Sequence, residues 1–308
     1  MEQKLSPKIT LESSLKAMEI ENFLDRYFYR PIAFRMALVL RHTPVTPNMV
    51  TILSIIVGVF GGTCFYSKDL TTNLLGVFFL IFANTLDCVD GQLARLTGIK
   101  SKIGRALDGF AGDLWFLSIY FSICLRLVNE DWHISIFLVA FLSAFSHSRQ
   151  AAMADYFKNL HLFFLKGAGG SEFDDYSNLQ KQYLQMSWRH NFWETLFMFF
   201  YRFYTKKQEK MSPTMHDLRM DAQSVYPNEI PAGLTEKFRE LAKYAIHWMH
   251  LLSFNGRTPV LFLAVVFDVP WVYFIFEIGV LNLGMFLGIR HYESICIAIR
   301  PLIEVPKK

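Results

Sequence analysis

Cysteine is scarce and scattered: Cys64, Cys88, Cys124 and Cys296 each lie inside an apolar segment, with no C-x-x-C pair and no regular spacing. That excludes a disulfide framework and a thiolate metal site, and leaves small side chains suited to burial. A large net charge is missing too. The sum is only +4, so the placement of charge says more than its amount, and no nucleic-acid partner is expected. The short basic leader and early apolar run of a secretory signal are also absent. The first apolar run begins near residue 49, behind a long mixed-charge segment, so the apolar segments are expected to stay in the mature protein.

What the chain does have is apolar and aromatic bulk. Hydrophobic residues make up 52%, with 30 phenylalanines, and the mean hydropathy is +0.24. This is the composition of an integral membrane protein, all-α and polytopic. Residues 1–48 place Ile20, Phe23, Leu24 and Tyr27, then Ile32, Met36 and Leu40, at three- and four-residue steps among basic residues. An amphipathic helix on the headgroup layer follows, kinked or divided at Pro31. Thr46-Pro47-Asn48 ends it, with Thr46 or Asn48 as the next cap.

Met49–Tyr66 has no charge and is long enough to span. Asn73–Leu86, Ile103–Val128 and Trp132–Ala144 supply spans two to four, within a unit over 49–157. Residues 158–255 then turn polar and charged, as a cytosolic or interfacial insert. Within it Phe192–Tyr204 is aromatic but too short to cross, which suits the interface. Residues 256–308 carry spans five and six and a tail, the fifth borrowing residues upstream from Trp248–Phe254. With the N-terminus cytosolic, 29 of the 31 basic residues fall on one side, leaving Lys68 and Arg126 outside. The positive-inside tendency therefore predicts cytosolic termini.

The same count puts the stretch Asp87–Asp113 at the cytosolic edge of spans two and three. Asp87, Asp90, Gly91, Ala94 and Arg95 share one helix face. Carboxylates one turn apart at an apolar boundary repel unless a cation bridges them. Hard oxygen ligands suit Mg²⁺, Mn²⁺ or Ca²⁺ better than zinc. Gly104 and Asp108 lie one turn apart on the next helix, expected to return beside the first. Three or four carboxylates across two helices would hold two cations and clamp a diphosphate.

The run Asp87-x-x-Asp90-Gly91-x-x-Ala94-Arg95, eight residues, Gly104-x-x-x-Asp108 resembles the signature of the CDP-alcohol phosphatidyltransferase family, over roughly residues 20–157. The resemblance implies a six-helix membrane enzyme, a homodimer, that moves a substituted phosphate from a CDP-linked donor to an alcohol and releases CMP. It implies Mg²⁺ or Mn²⁺, two ions, on Asp87, Asp90 and Asp108. Gly91, Ala94 and Arg95 would line the cytidine and diphosphate pocket, and Gly104 would allow close helix approach. The family's fourth aspartate, its base and a ligand of the second metal, falls here on Gly112, with Asp113 following. Five residues turn a side chain about 140° from Asp108 on a regular helix, against about 40° for four. Either a π-bulge eased by Gly109 and Gly112 turns Asp113 inward as the catalytic and metal-binding carboxylate, or the site is degraded or completed differently.

Arg149 and Arg257, with Lys100 and Lys102, would make a basic pocket for a phosphorylated acceptor, or else snorkel to headgroups. Asn48 would touch the nucleotide or merely cap its helix. His147 reads as a helix-end histidine, and Asp155 and Glu277 as boundary acids with no partner yet identified. The basic surroundings favour CDP-diacylglycerol as donor to a soluble acceptor over CDP-choline or CDP-ethanolamine with a lipid acceptor. A silent membrane scaffold and an ion or proton transporter are the readings from other classes.

Overall fold

The computed structural model describes residues 10–99, 102–171 and 173–303. Lys4, Lys8, Lys100, Lys307 and Lys308 of the basic count lie outside these residues, as do the side chains of Lys102 and Arg105. Every regular element among the described residues is helical.

Short 3₁₀ turns at Glu12–Ser14 and Met18–Ile20 lead into a helix whose early turn, Asp25–Tyr29, is π-wound before α1 (Arg30–Leu40). The ring of Pro31 would collide with the carbonyl four residues back. The widened turn ahead of it relieves that clash, so the helix passes through Pro31 undivided. Phe23, Leu24, Tyr27 and Phe28 remain exposed, in keeping with an interfacial helix.

Thr46 caps α2 (Pro47–Thr63) by accepting the Met49 N–H at 3.4 Å, and Pro47 takes the first turn, where its missing N–H costs nothing. Asp69 caps α3 (Leu70–Thr97) through the Thr72 N–H at 2.8 Å. Gly98 ends α3 at φ 74°, a left-handed conformation that glycine adopts without strain, and α4 (Lys102–Asn129) follows. α2 packs against both α3 and α4. A Cβ on Gly61 would stand 3.1 Å from the Gly76 carbonyl oxygen, and one on Gly58 would overlap the Trp115 indole at 2.3 Å. Ser118 Oγ adds a hydrogen bond to the Val59 carbonyl at 2.8 Å. Small residues let these backbones approach closely where lipid gives no hydrophobic drive for association. The sequence paired α3 directly with α4; α2 is the support that both share.

α5 (Ile136–Lys166) is one helix with two environments. Its first half leaves Leu138, Phe141, Leu142 and Phe145 exposed. Its second half is buried in a core with the insert, which folds as α6 (Tyr176–Leu184), α7 (Phe192–Met211), α8 (Pro213–Val225), α9 (Ala232–Ala242) and α10 (Ile246–Leu252). α11 (Phe254–Val266) and α12 (Trp271–Ile275) follow, and a π turn at Phe276–Leu281 joins α12 to α13 (Asn282–Ile299).

Six spans were expected. Among the described residues, four helical segments qualify by length and composition, Pro47–Tyr66, Leu70–Thr97, Leu107–Asn129 and Trp271–Leu302, and the α10–α11 pair, bent by 43°, makes up to five. The bent pair covers the stretch where the fifth span was expected to borrow upstream residues. α5 accounts for the remaining difference, because the polar run from His147 to Gln150 follows its apolar start too soon. At the end of α4 away from the aspartates, Arg126 is buried and paired with Asp268 and with Glu130 at 3.1 Å, and Lys68 reaches Glu130 at 3.2 Å.

Candidate active site

Asp87 and Asp90 sit one turn apart on α3, and Asp108 faces them from α4. Ligand oxygens of the three lie within 4.8 Å of one another. Asp90 is buried, and its Oδ2 has no hydrogen-bond partner within the protein. A buried carboxylate oxygen without a donor is costly, and an all-oxygen set of this kind matches a hard divalent cation. The residues therefore fit the metal that the motif implies.

Two cavities of about 280 Å³ each meet at this set and share Lys16, Asp90, Gly91, Arg95 and Asp108. Asn48, Gly91, Ala94, Arg95 and Gly104 all line one of them, so the structure brings the expected nucleotide residues together. A Cβ on Gly91 would meet only the Arg95 guanidinium, at 3.4 Å. Arg95 Nε donates to the Ser14 carbonyl, which brings the N-terminal segment to the rim of this cavity.

The other cavity is walled by α5 and by the insert: Asp155, Lys158 and Asn159 from α5, Tyr201 and Tyr204 from α7, with Lys16 and Arg30 from the N-terminal segment. Arg30 is tied to Glu21 at 3.1 Å. Burial pushes the Lys158 ammonium below its ordinary range, and the nearby positive charges of Lys16 and Arg30 push it further. Burial raises the Tyr204 hydroxyl well above its usual range, with Asp155 and Asp113 adding to the effect. The wall thus gathers positive charge opposite three carboxylates.

Three expected residues, Asp113, Arg149 and Arg257, do not join the set. α4 is regular through Gly109 and Gly112, with no π turn there. Asp113 accordingly points away from Asp108, its Oδ1 3.6 Å from His147 Nε2, and it lines neither cavity. Arg149 is exposed, its guanidinium 4.1 Å over the Phe145 ring, and it also lines neither cavity, so the basic pocket forms from other residues. Arg257 is buried against Glu277 at 3.0 Å. Glu277 also accepts from the Tyr273 hydroxyl at 2.7 Å and lies 3.7 Å from His147 Nδ1. Glu277 thus has the partners that the sequence left unidentified.

Residues 44–161 match the family described as CDP-alcohol phosphatidyltransferase. The chain carries a CDP-alcohol phosphatidyltransferase domain. The Archaetidylinositol phosphate synthase of Pyrococcus horikoshii (strain ATCC 700860 / DSM 12428 / JCM 9974 / NBRC 100139 / OT-3) is 32% identical over 106 residues, 34% of this chain and 55% of that protein. The chain thus spans about half the length of that curated relative. The phosphatidyltransferase domain ends inside α5, so Tyr201 and Tyr204 of α7 come from beyond it.

Asp155, Lys158 and Asn159, missed as site residues, carry a signal: offsets of three and four place them on one helix face. Lys16, Arg30, Tyr201 and Tyr204 carry none, since they arrive from segments far away in sequence.

Proposed function

We propose that the protein transfers a substituted phosphate from a CDP-linked donor to an alcohol, releasing CMP, in phospholipid synthesis. The observation that carries this reading is the convergence of Asp87, Asp90 and Asp108 within 4.8 Å, at the junction of one cavity lined by the motif's small residues and Arg95 and a second lined by basic residues. The archaeal relative supports the lipid class through its name.

Asp87, Asp90 and Asp108 would hold one or two Mg²⁺ or Mn²⁺ ions, which supply charge neutralisation for the diphosphate and its leaving group. The family is generally divalent-metal dependent. Arg95 neutralises donor phosphate, and Gly91 and Ala94 admit the nucleotide against the α3 backbone. Asn48 and Gly104 close the same cavity. Lys16, Arg30 and Lys158 orient an anionic alcohol in the other cavity, so a soluble phosphate-bearing acceptor and a CDP-diacylglycerol type of donor fit better than a neutral lipid acceptor. The relative's name, which gives archaetidylinositol phosphate as its product, agrees with that choice. The site faces the cytosol with both termini by the distribution of basic residues, and the enzyme works as a homodimer by its family resemblance.

The test is a panel of CDP-linked donors and alcohol acceptors on purified protein with Mg²⁺ or Mn²⁺, read by CMP release and lipid mass. Turnover that Asp90→Asn abolishes supports the reading. Nucleotide binding without turnover on any pair would make the protein a silent scaffold.

A further inference from the structure

We propose that Asp155 of α5 takes the proton from the acceptor hydroxyl, the part that a carboxylate at position 112 would otherwise play. The inference rests on the phosphotransfer reading above and deepens it. Four acids line the cavity with the basic wall: the three convergent aspartates, and Asp155 from a different helix. The three are committed to one another within 4.8 Å, and a base held by a cation is a poor proton acceptor. Asp113 is engaged by His147 and lines neither cavity. Position 112 is glycine, with nothing within 4 Å of where its Cβ would stand.

Asp155 is also held in place. Its Oδ2 accepts from the Tyr204 hydroxyl at 3.4 Å and from Gln208 Nε2 at 3.3 Å, and Gln208 anchors to the Ala152 carbonyl at 2.8 Å. Two donors from α7 thus fix the orientation of a carboxylate that shares its cavity with Lys158, one turn along α5. Lys158, Lys16, Asp155 and the three aspartates line one cavity, so a phosphate-bearing alcohol held there by the two lysines would present its hydroxyl to Asp155 and to the three aspartates. The acceptor O–H bond breaks and its proton passes to the Asp155 carboxylate. The acceptor oxygen bonds the phosphorus that bears the donor's organic substituent. The bond from that phosphorus to the bridging oxygen breaks, CMP leaves with the electron pair, and Asp155 then gives the proton to solvent. Nothing is oxidised or reduced.

The alternative is that Asp155 only clamps α5 to α7. Three variants separate the two, compared for kcat, for Mn²⁺-dependent CDP binding and for thermal unfolding in detergent. Asp155→Asn is expected to lower kcat by about 100-fold or more, the scale of a lost general base, while CDP binding stays within about threefold. Gly112→Asp in the Asp155→Asn background is expected to restore at least tenfold of that loss, because a carboxylate four residues after Asp108 returns to its face. Asp113→Asn is expected to stay within about tenfold of the unaltered protein. Asp155→Asn turning over at the unaltered rate while Asp90→Asn is dead overturns this inference and leaves the phosphotransfer reading standing. Loss of CDP binding and stability in Asp155→Asn, or failure of Gly112→Asp to restore turnover, also overturns it and assigns Asp155 to the clamp. An unaltered protein inactive on every donor overturns the phosphotransfer reading itself, and the inference with it.

Discussion

Asp90→Asn should make the metal-free protein more stable and at the same time deaf to metal. Three carboxylates whose ligand oxygens lie within 4.8 Å repel one another by about 3 kcal/mol per pair at an effective dielectric near 20. Replacing Asp90 by its neutral isostere removes two of those three pairs, and it removes a buried oxygen that has no donor in the protein. Partial protonation of the set in the metal-free state lowers the gain, so a rise of roughly 5 °C in the unfolding midpoint is the expected scale. The assay is thermal unfolding of purified protein in detergent, with EDTA and then with Mn²⁺ or Mg²⁺ added. The unaltered protein should gain stability with metal by mass action, and Asp90→Asn should gain little. An equal metal-induced shift in both proteins would refute the assignment of this cluster as the metal site. So would a loss of metal-free stability in Asp90→Asn, because it would mean that the carboxylate is already compensated.

Arg257→Met should destabilise by about 3–5 kcal/mol, since it strands the fully buried Glu277 without its counter-ion; unfolding in detergent should show Arg257→Met/Glu277→Gln recovering much of that loss. Gly58→Ala should cost about 1–3 kcal/mol by overpacking against Trp115, measured by the same melt, with the Gly58→Ala/Trp115→Leu pair milder than Gly58→Ala alone. Lys158→Met should stabilise the ligand-free protein at neutral pH. Its ammonium is depressed in the fold, so the unfolded chain binds the proton more tightly and stability rises with pH toward the ordinary lysine range; unfolding midpoints against pH should lose that rise in the variant. The same variant should raise KM for a phosphate-bearing acceptor more than for the CDP-linked donor.

Legibility in the sequence followed covalent distance. The span at Met49–Tyr66 could be read because a charge-free run long enough to cross hydrocarbon has few other uses, and those at Asn73–Leu86 and Ile103–Val128 because charge gathers toward the ends of their apolar stretches. The cap at Thr46 acts within three residues of its partner, so local chemistry decides it. Asp87, Asp90, Gly91, Ala94 and Arg95 were legible for the same reason: one helix face is fixed by offsets of three and four. The count of spans was less so, because α5 carries an apolar half and a polar half within one helix, and composition does not say where such a helix leaves the membrane.

By itself, then, the sequence determined the membrane class, the carboxylate motif and the missing aspartate at Gly112, since each of these lies within a single run of helix. Only the tertiary structure decided what completes the site. It kept α4 regular, so that Asp113 turned to His147, and it laid α7 of the insert and the N-terminal segment against α5. Asp155, Tyr204, Lys16 and Arg30 thereby line one cavity with the three aspartates. Those residues are brought together by packing between segments far apart in the chain, and no periodicity within any one segment encodes that meeting.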